Sequence, residues 1–224
     1  MKIIVTTGPS YEPIDEVRRI TNFSTGELGV QLANALARDD HKVFCLKGLY
    51  STCAAALVNC HPLPFTTNDD LQEQLGRLAR EQDVAALFHV AALCDYKVSH
   101  VQDQQGSRHS AAKIESRAGA LTLVLEPALK VIAGMRELFP RALLVGWKYE
   151  LNGTRADALA KAWRQIRENR TDACMVNGRA WGEGFGFCTP PENIRELRDK
   201  SAVVEFLPGW LKEQPAARGT NGSR

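Results

Sequence analysis

Short apolar runs alternate with amphipathic segments along most of this chain. The apolar runs are Ile3–Val5, Lys42–Lys47, Val84–Val90, Ala142–Trp147 and Ala173–Val176. Apolar residues recur at helical spacing in Leu28–Arg38, Leu71–Gln82 and Thr154–Asn169, and Asn68 or Asp69 is the expected N-cap of the second helix. Strands that are buried on both faces of a parallel sheet read as continuous apolar runs, because neither face meets water. The pattern therefore predicts an α/β fold in which helices cover both faces of a mostly parallel sheet.

Three stretches depart from this alternation. Ser51–Asn59 is ambiguous and fits a short helix that turns into a strand near Leu57 and Val58. Polar Ser99–Ser116, followed by a strand-like segment from residue 121 to 126, predicts a β flap or hairpin at about residues 98–126. Trp181–Pro191 has too many glycines for a helix and predicts a structured loop. We expect one domain over residues 1–212 and a disordered tail over residues 213–224.

The end of the first strand and the start of the first helix share an unusual composition. The strand leads into a turn that contains Gly8, and Ser24, Thr25 and Gly26 stand where the helix opens, with Asn22 just before them. Backbone N–H groups at such turns and at helix N-termini favour phosphate oxygens. A helix N-cap would explain one of the two hydroxyls but not the whole cluster. The segment indicates a nucleotide- or phosphate-binding site, although it lacks the G-x-G-x-x-G spacing of dinucleotide-binding folds.

Further candidate residues follow other strands or lie in the flap. Ligands of open parallel sheets bind outside the carboxyl ends of the strands. At one such end, Ala91 and Ala92 are small enough for a flat group to approach the backbone, and Asp95 adds a carboxylate. Lys113 lies in the polar flap, where it could close over triphosphate charge or be a solvated surface lysine.

Composition limits the classes of function. The chain has 224 residues, 44% of them hydrophobic and 24% charged, and a formal net charge of +2, so no overall field favours nucleic acid or a membrane surface. We expect neither a membrane span nor a signal peptide, because the longest apolar runs are short and the chain starts with a strand. The six cysteines form no C-x-x-C motif and predict reduced, mostly buried thiols of a cytoplasmic protein. The five histidines lack metal-ligand spacing, so we predict no metal-ligating residues.

Three motifs, in order, carry a resemblance to a known family. Residues 6–29 follow the pattern T-x-G-x-[ST]-x-E-P-[IL]-D-x-V-R-x-I-[ST]-N-x-S-[ST]-G-x-x-G. Residues 91–96 follow A-A-x-x-D-Y, and residues 113–116 follow K-I-x-[SK]. The chain thus resembles phosphopantothenoylcysteine synthetase, also called phosphopantothenate–cysteine ligase, from about residue 3 to residue 194. Segments 145–150, 175–177 and 185–187 resemble later motifs of the same family.

The resemblance implies a Rossmann-like three-layer sandwich and a homodimer with the flap near its interface. The length of the chain leaves no room for a fused partner domain, so we expect a stand-alone cytoplasmic enzyme. It implies a ligase of coenzyme A biosynthesis that joins 4′-phosphopantothenate to L-cysteine through an acyl-nucleotidylate. CTP or ATP would be the co-substrate, with Mg²⁺ shared among its phosphate oxygens. Such a reaction needs neutralised polyphosphate charge and fixed groups at the acyl oxygen, and it requires no strongly nucleophilic side chain.

The resemblance also implies roles for single residues. Asn22 would contact the acyl intermediate with Arg18 nearby, and Lys113 would meet the triphosphate. The nucleotide would be held by Asp95 and by the backbone of Ala91 and Ala92.

Other binding residues are implied by the turns and strand ends that match the family. A basic residue of the helix before Asp172 would contact phosphates, with Arg164 as the first choice and Lys161 as the second. The remaining candidates in the matching segments are Gly8, Ser24, Thr25, Gly26, Trp147 and Asn177.

The chain departs from the family pattern at several positions. Glu27 stands where the family often has Lys, Glu115 occupies a position of its lysine-rich flap, and Gly178 replaces the Asp of an A-N-D turn. Residues 126–128, Glu-Pro-Ala, replace an Asn-Pro-Asp-type turn. The choice between CTP and ATP stays open, and Glu27 and Gly178 favour a non-catalytic nucleotide-binding or regulatory relative as an alternative. An NAD(P)-dependent oxidoreductase is a further alternative, against which stand the missing glycine fingerprint and the Lys47-Gly48 end of the second strand.

Overall fold

A computed structural model describes residues 1–109, 112–115 and 119–214 of the chain. Its strands are β1 (Lys2–Thr7), β2 (Tyr11–Pro13), β3 (Arg19–Thr21), β4 (Lys42–Gly48), β5 (Cys60–Phe65), β6 (Ala86–His89), β7 (Tyr96–Gln102), β8 (Arg108–His109), β9 (Thr122–Pro127), β10 (Leu143–Tyr149), β11 (Ala173–Asn177), β12 (Phe185–Thr189) and β13 (Asn193–Leu197). Its helices are α1 (Glu27–Arg38), α2 (Asn68–Glu81), α3 (Val131–Leu138), α4 (Arg155–Asn169) and α5 (Lys200–Glu213). The tail predicted at 213–224 lies outside the described residues from residue 215 onward.

The central sheet has eight strands in the order β13-β12-β11-β10-β6-β1-β4-β5. The six strands from β11 to β5 in this order are parallel, whereas β12 is antiparallel to β11 and β13 is antiparallel to β12. The predicted α/β fold with a mostly parallel sheet is confirmed. The chain builds outward from β1 to β5 and then continues on the other side of β1 with β6. The strand order therefore reverses between β1 and β6, which is where open α/β sheets bind ligands.

Different helices cover the two faces of the sheet. Ile3 packs in an apolar cluster with α1 and α5, whereas the next residue, Ile4, packs in a second cluster with α2 and α3. Helix α4 covers β10 and β11 on the side where α3 lies. Neighbouring residues of a strand point to opposite faces, so burial of both faces explains the continuous apolar runs. Within the described ranges, none of the helices combines the length and the apolar character of a membrane span.

The segment after β4 differs from its prediction. Residues 51–58 form neither helix nor strand, and the following strand begins at Cys60. The side chain of Asn34 on α1 holds this segment, since its amide donates to the Ala56 carbonyl at 2.9 Å and its oxygen accepts the Val58 N–H at 2.9 Å. With these backbone groups satisfied, the segment needs no helix of its own. The strand it leads to contains two prolines, which an edge strand such as β5 tolerates.

The N-cap of α2 is Thr67, so the expectation of Asn68 or Asp69 is wrong. The Thr67 hydroxyl accepts the Asp70 N–H at 3.2 Å, as an N-cap side chain does. Asn68 instead is buried, and its amide donates to the carbonyls of Cys94 at 2.8 Å and Leu129 at 2.9 Å. Its side chain thus fastens two loops to the start of the helix.

The predicted loop at 181–191 is wrong in its centre. Residues Phe185–Thr189 form the buried strand β12, which pairs with β11 on one side and β13 on the other. A glycine is needed within this strand because a Cβ on Gly186 would lie 2.3 Å from the Trp181 ring. Gly186, one of the glycines that argued against a helix, therefore serves close packing within a sheet.

The predicted flap is present as a separate antiparallel sheet. Its three strands have the order β8-β7-β9, and it spans Tyr96 to Pro127 with residues 110, 111 and 116–118 outside the described part. The strand predicted at 121–126 is β9 at Thr122–Pro127. The small β2–β3 hairpin contacts β7, so it links the flap to the central sheet.

Candidate functional site

The turn after β1 and the N-terminus of α1 pack directly against each other. Gly8 has a φ of +80° and Gly26 a φ of +77°, values that L side chains rarely adopt. A Cβ on Gly26 would lie 2.4 Å from the Ser51 Oγ and 3.1 Å from the Gly8 Cα. The Thr7 hydroxyl donates to the Gly26 carbonyl at 2.8 Å, and the Ser51 hydroxyl donates to the Thr25 carbonyl at 2.5 Å. Three segments thus converge where the sequence predicts a phosphate-binding turn.

Helix α1 begins without a side-chain cap. Its N-cap residue is Gly26, so neither Ser24 nor Thr25 is the N-cap. The Thr25 hydroxyl accepts the Glu27 N–H at 3.3 Å from one position further out. The half-exposed start of this helix therefore presents backbone N–H groups and a hydroxyl at the carboxyl edge of the sheet, an arrangement suited to an anion.

Asn22 joins this turn to the loop that follows β6. Its amide nitrogen donates to the carbonyl of Leu93 at 2.8 Å and to that of Ala92 at 3.3 Å. The Ala92 N–H in turn donates to the Gly8 carbonyl at 3.0 Å. The structure therefore brings Asn22, Gly8, Ala91 and Ala92 together at the point where the strand order reverses.

The flap segment that carries Lys113 is docked on the β2–β3 hairpin. The carboxylate of Asp15 accepts the Ile114 N–H at 3.2 Å, and the Glu16 N–H donates to the Ala112 carbonyl at 3.0 Å. Arg18 pairs with Asp15 at 2.9 Å and also donates to the Ile114 carbonyl. The two neighbours of exposed Lys113 are thus fixed by the hairpin, and Arg18 acts as an anchor of the flap.

The electrostatics of Asp15 fit this anchoring role. Its side chain is only 1% exposed, and burial by itself would raise the pKa of the carboxyl. The N–H donors of Val17, Ile114 and Arg18, together with the Arg18 guanidinium, outweigh burial and hold the pKa of Asp15 below its usual range. The carboxylate is therefore charged at neutral pH and keeps its bonds to the flap.

Asp95 lies at the exposed start of the flap, and its carbonyl accepts the Ala128 N–H at 2.9 Å. The preceding residue, Cys94, is buried, and its N–H donates to the Ser10 hydroxyl at 2.8 Å. Burial raises the pKa of the Cys94 thiol, so this cysteine is a packed, unreactive thiol. All six cysteines are free, as the sequence predicts.

The ends of β10 and β11 carry a second group of charged residues. The Glu150 carboxylate is 13% exposed and pairs with Lys161 of α4 and with Lys148 of β10, the latter at 3.7 Å. The Glu150 N–H donates to the Asn177 carbonyl at 2.8 Å. Two ammonium groups thus face one carboxylate beside Asn177, which leaves an excess of positive charge at this part of the carboxyl edge.

The other predicted residues of this region lie in different surroundings. Trp147 is half-buried against the apolar cluster of α1 and α5. Arg164 is exposed and makes no ion pair within the described part of the chain, whereas Lys161, one turn nearer the carboxyl edge, does. Gly178 has a φ of +110°, and a Cβ there would lie 2.4 Å from the Glu150 carbonyl oxygen. This backbone has no room for the Asp of the family's A-N-D turn.

Several residues at the same edge were not predicted. Lys148 and Glu150 lie in segment 145–150, which resembles a family motif, but they were not predicted as site residues, because their grouping with Lys161 of α4 depends on the tertiary fold. The guanidinium of Arg19 lies 3.2 Å from the Tyr50 ring centroid, and the Tyr50 ring meets Tyr11 edge-on, so these side chains tie the hairpin to the turn after β4.

No cluster of three or more His, Cys, Asp or Glu side chains that could hold a metal ion occurs among the described residues. A groove of about 490 Å³ lies between the ends of α2 and α3 at residues 79–84 and 137–142, at the opposite edge of the sheet. The candidate site residues instead lie along the open carboxyl edge of the sheet.

Comparison with known sequences identifies relatives over the whole fold. The family profile described as "DNA/pantothenate metabolism flavoprotein C-terminal domain" matches residues 1–218. The coenzyme A biosynthesis bifunctional protein CoaBC of Bacillus subtilis is 26% identical over 95% of this chain and 47% of its own length. That of Thermococcus kodakarensis is 27% identical over 79% of this chain and 41% of its own length.

A third relative has a different description. A protein described as a cysteine/cysteine sulfinic acid decarboxylase, from an unknown prokaryotic organism, is 26% identical over 96% of this chain and 56% of its own length. The chain thus spans about half the length of the curated relatives it matches.

Solved structures share the fold. The DNA/pantothenate metabolism flavoprotein from Streptococcus pneumoniae superposes with a TM-score of 0.82 at 24% identity, covering 95% of this chain and 98% of that one. A Cab2 mutant in complex with phosphopantothenate-cysteine superposes with a TM-score of 0.70 at 18% identity, covering 93% and 84%.

Proposed function

The chain belongs to the DNA/pantothenate metabolism flavoprotein C-terminal domain family, and we propose that it is a ligase that joins 4′-phosphopantothenate to L-cysteine. The reaction would proceed through an acyl-nucleotidylate formed from CTP or ATP. The observation that carries the proposal is the convergence of Asn22, the Gly8–Gly26 turn and Ala91–Ala92 at the reversal of strand order. The Lys113 segment is docked on the β2–β3 hairpin, which lies between the two glycine turns in the chain.

In the first step, a carboxylate oxygen of phosphopantothenate attacks the α-phosphorus of the nucleotide. The bond from that phosphorus to the β-phosphate breaks, and pyrophosphate leaves. The N–H groups at the start of α1 and the Lys113 ammonium would neutralise the polyphosphate charge as it departs. Asp15 and Arg18 would act through the flap, because they fix the neighbours of Lys113.

In the second step, the cysteine amine attacks the acyl carbon. The acyl C–O bond breaks, the nucleoside monophosphate leaves with that oxygen, and the amine loses a proton. The Asn22 amide nitrogen is held by the Ala92 and Leu93 carbonyls, and no protein donor in the described ranges bonds its Oδ1. That oxygen is therefore the natural acceptor for an N–H of the incoming amine.

The proposal also assigns contacts to the nucleotide and a role to Mg²⁺. Ala91 and Ala92 leave room for a base beside the backbone, Asp95 offers an acceptor for a ribose hydroxyl, and Lys161 and Lys148 face the edge as phosphate contacts. Mg²⁺ would add charge neutralisation on the phosphate oxygens.

We also propose a homodimer in which the flap contacts a second copy. The flap exposes large apolar side chains, namely Tyr96 at 56%, Leu123 at 39% and Leu125 at 45%. Apolar side chains grouped on a small sheet favour burial against a partner. Light scattering of the full chain tests this: a mass of one chain at micromolar concentration would contradict it.

One alternative has specific support. Glu27, Glu115 and Gly178 each lower positive charge or remove a polar group where the family resemblance places one, so a nucleotide-binding relative without catalysis is the second candidate. The oxidoreductase alternative lacks support, since β4 ends in Lys47-Gly48 and offers no acid for a ribose.

A pyrophosphate-release assay tests the proposal. The full chain is mixed with phosphopantothenate, cysteine, Mg²⁺ and either CTP or ATP, and product is identified by mass spectrometry. We expect pyrophosphate release to require phosphopantothenate, and Lys113→Ala to reduce it about a hundredfold or more. Nucleotide binding without pyrophosphate release would favour the non-catalytic alternative. Carbon dioxide release from cysteine in the same mixture would favour the decarboxylase relative.

A further inference from the structure

An acidic residue lies beside the proposed phosphate turn. Glu27 is the first residue of α1 and follows Gly26 directly. An acid at this position stabilises the helix, because it complements the positive end of the helix dipole. The same charge would repel a triphosphate that binds at the Gly8–Gly26 turn. With Glu27 charged and unpaired, the N-terminus of α1 would therefore be an unfavourable site for a triphosphate.

A lysine from a distant part of the chain meets this acid. The Lys200 Nζ lies 2.5 Å from the Glu27 Oε2, and the two side chains are 51% and 43% exposed. Lys200 is the first residue of α5, whose N-cap Asp199 accepts the Ala202 N–H at 2.8 Å. Because β13 runs parallel to β11, it returns the chain to the carboxyl edge, and α5 then starts beside the N-terminus of α1.

We infer that Lys200 is a positioning residue for triphosphate binding: it neutralises Glu27 and thereby lets the N-terminus of α1 accept a polyanion. The inference rests on the proposed function, since it takes the triphosphate to lie at the Gly8–Gly26 turn. Lys200 acts through Glu27 and need not touch the phosphate. Loss of Lys200 therefore harms binding only as long as Glu27 keeps its charge.

The same two helices provide a matched control. At their other ends, the Lys212 Nζ lies 2.9 Å from the Asp39 Oδ2, with side-chain exposures of 54% and 29%. Lys212→Ala removes the same charge and an equivalent link between α1 and α5, but at the opposite edge of the sheet. A purely structural role of Lys200 would make Lys200→Ala and Lys212→Ala behave alike.

The test is the equilibrium binding of Mg²⁺–CTP, Mg²⁺–ATP and inorganic pyrophosphate to the full chain by calorimetry, together with steady-state kinetics. We expect Lys200→Ala to weaken binding roughly fivefold at low salt and to raise the KM for triphosphate without changing kcat. Lys200→Arg and Lys212→Ala should bind like the unmodified chain. Glu27→Gln combined with Lys200→Ala should restore binding to within about twofold, because the repelling charge is gone.

Two results would overturn the inference: Lys200→Ala binding as tightly as Lys212→Ala, or a double variant as weak as Lys200→Ala alone. If the chain binds triphosphate but makes no product, the proposed ligase falls while the binding data still decide the role of Lys200. If the chain binds neither nucleotide nor pyrophosphate, both proposals fall.

Discussion

At the scale of single residues, the site depends on side chains that fix backbone segments. Asn22 uses both N–H groups on the Ala92 and Leu93 carbonyls, and thus sets the separation of two loops. An asparagine in this role cannot be replaced by aspartate, because a carboxylate has no hydrogen to donate and would face two carbonyl dipoles. The hydrogen-bond geometry therefore requires asparagine at position 22, which is also the residue in the sequence motif.

We predict that Asn22→Asp slows amide formation about a hundredfold while the first step continues, so that acyl-nucleotidylate accumulates. Rapid quenching followed by mass spectrometry measures the intermediate and the product in the same sample. Asn193→Asp is the control, since Asn193 also donates to a backbone carbonyl, that of Pro190 at 3.4 Å, but lies outside the site. Normal product formation by Asn22→Asp would remove this residue from the mechanism.

At the scale of secondary-structure elements, the β2–β3 hairpin is the part that holds the flap. Asp15 accepts three backbone N–H groups, two within the hairpin and one from Ile114 of the flap. The lowered pKa of Asp15 keeps this link charged at neutral pH; protonation would weaken it only as the pH falls below the usual range of an aspartate. The hairpin therefore fixes the position of the flap segment that carries Lys113.

Asp15→Asn should loosen the attachment of the flap segment that carries Lys113. One acceptor oxygen becomes a donor and the pairing charge for Arg18 disappears, so we expect hydrogen exchange at the Ile114 amide to speed up about tenfold. The KM for triphosphate should rise as well. Asp103→Asn is the control, because Asp103 accepts the N–H groups of Gln105 and Ser107 within a flap turn. Unchanged exchange at Ile114 would show that Asp15 does not anchor the flap.

Elements with strong local periodicity were predictable from sequence, and elements defined by distant contacts were not. The runs that became β1, α1 and α4 bury regular faces, and the sequence predicts them to within about two residues. Strand β12 depends on Gly186, which fits against Trp181, and α5 contains Pro208 within its length, so neither has a clear local pattern. In the site, the glycine turns could be read from sequence, whereas the Lys148–Glu150–Lys161 group needs β10 and α4 to be packed together.

At the scale of the whole molecule, the fold places its candidate site where β1 and β6 meet. The Thr6 Oγ1 and the His89 Nδ1 lie 2.7 Å apart across this seam, and His89 is buried. Burial lowers the pKa of His89 to about 4, so the imidazole is neutral in the folded protein at neutral pH. The unfolded chain, in which the pKa returns to 6.5, binds a proton that the folded protein does not.

Stability should therefore fall as the pH drops from about 6.5 towards 4. The unfolded state takes up the additional proton in this window, and the loss from His89 alone amounts to about 2 kcal/mol between pH 7 and pH 5. Urea unfolding at both pH values measures it. His89→Gln, which keeps a polar partner for Thr6 but does not titrate, should lose less stability than the unmodified chain by about this amount. Equal pH dependence of the two proteins would mean that His89 is not held neutral.

We propose that the carboxylate of phosphopantothenate becomes an acyl-nucleotidylate at this sheet edge. The most direct test uses phosphopantothenate labelled with ¹⁸O in its carboxylate, together with cysteine and the preferred triphosphate. The labelled oxygen that attacks the α-phosphorus stays with the nucleotide when the amide forms, so we predict that one ¹⁸O appears in the nucleoside monophosphate. Product that forms with an unlabelled monophosphate, or with label in inorganic phosphate, would contradict an acyl-nucleotidylate intermediate.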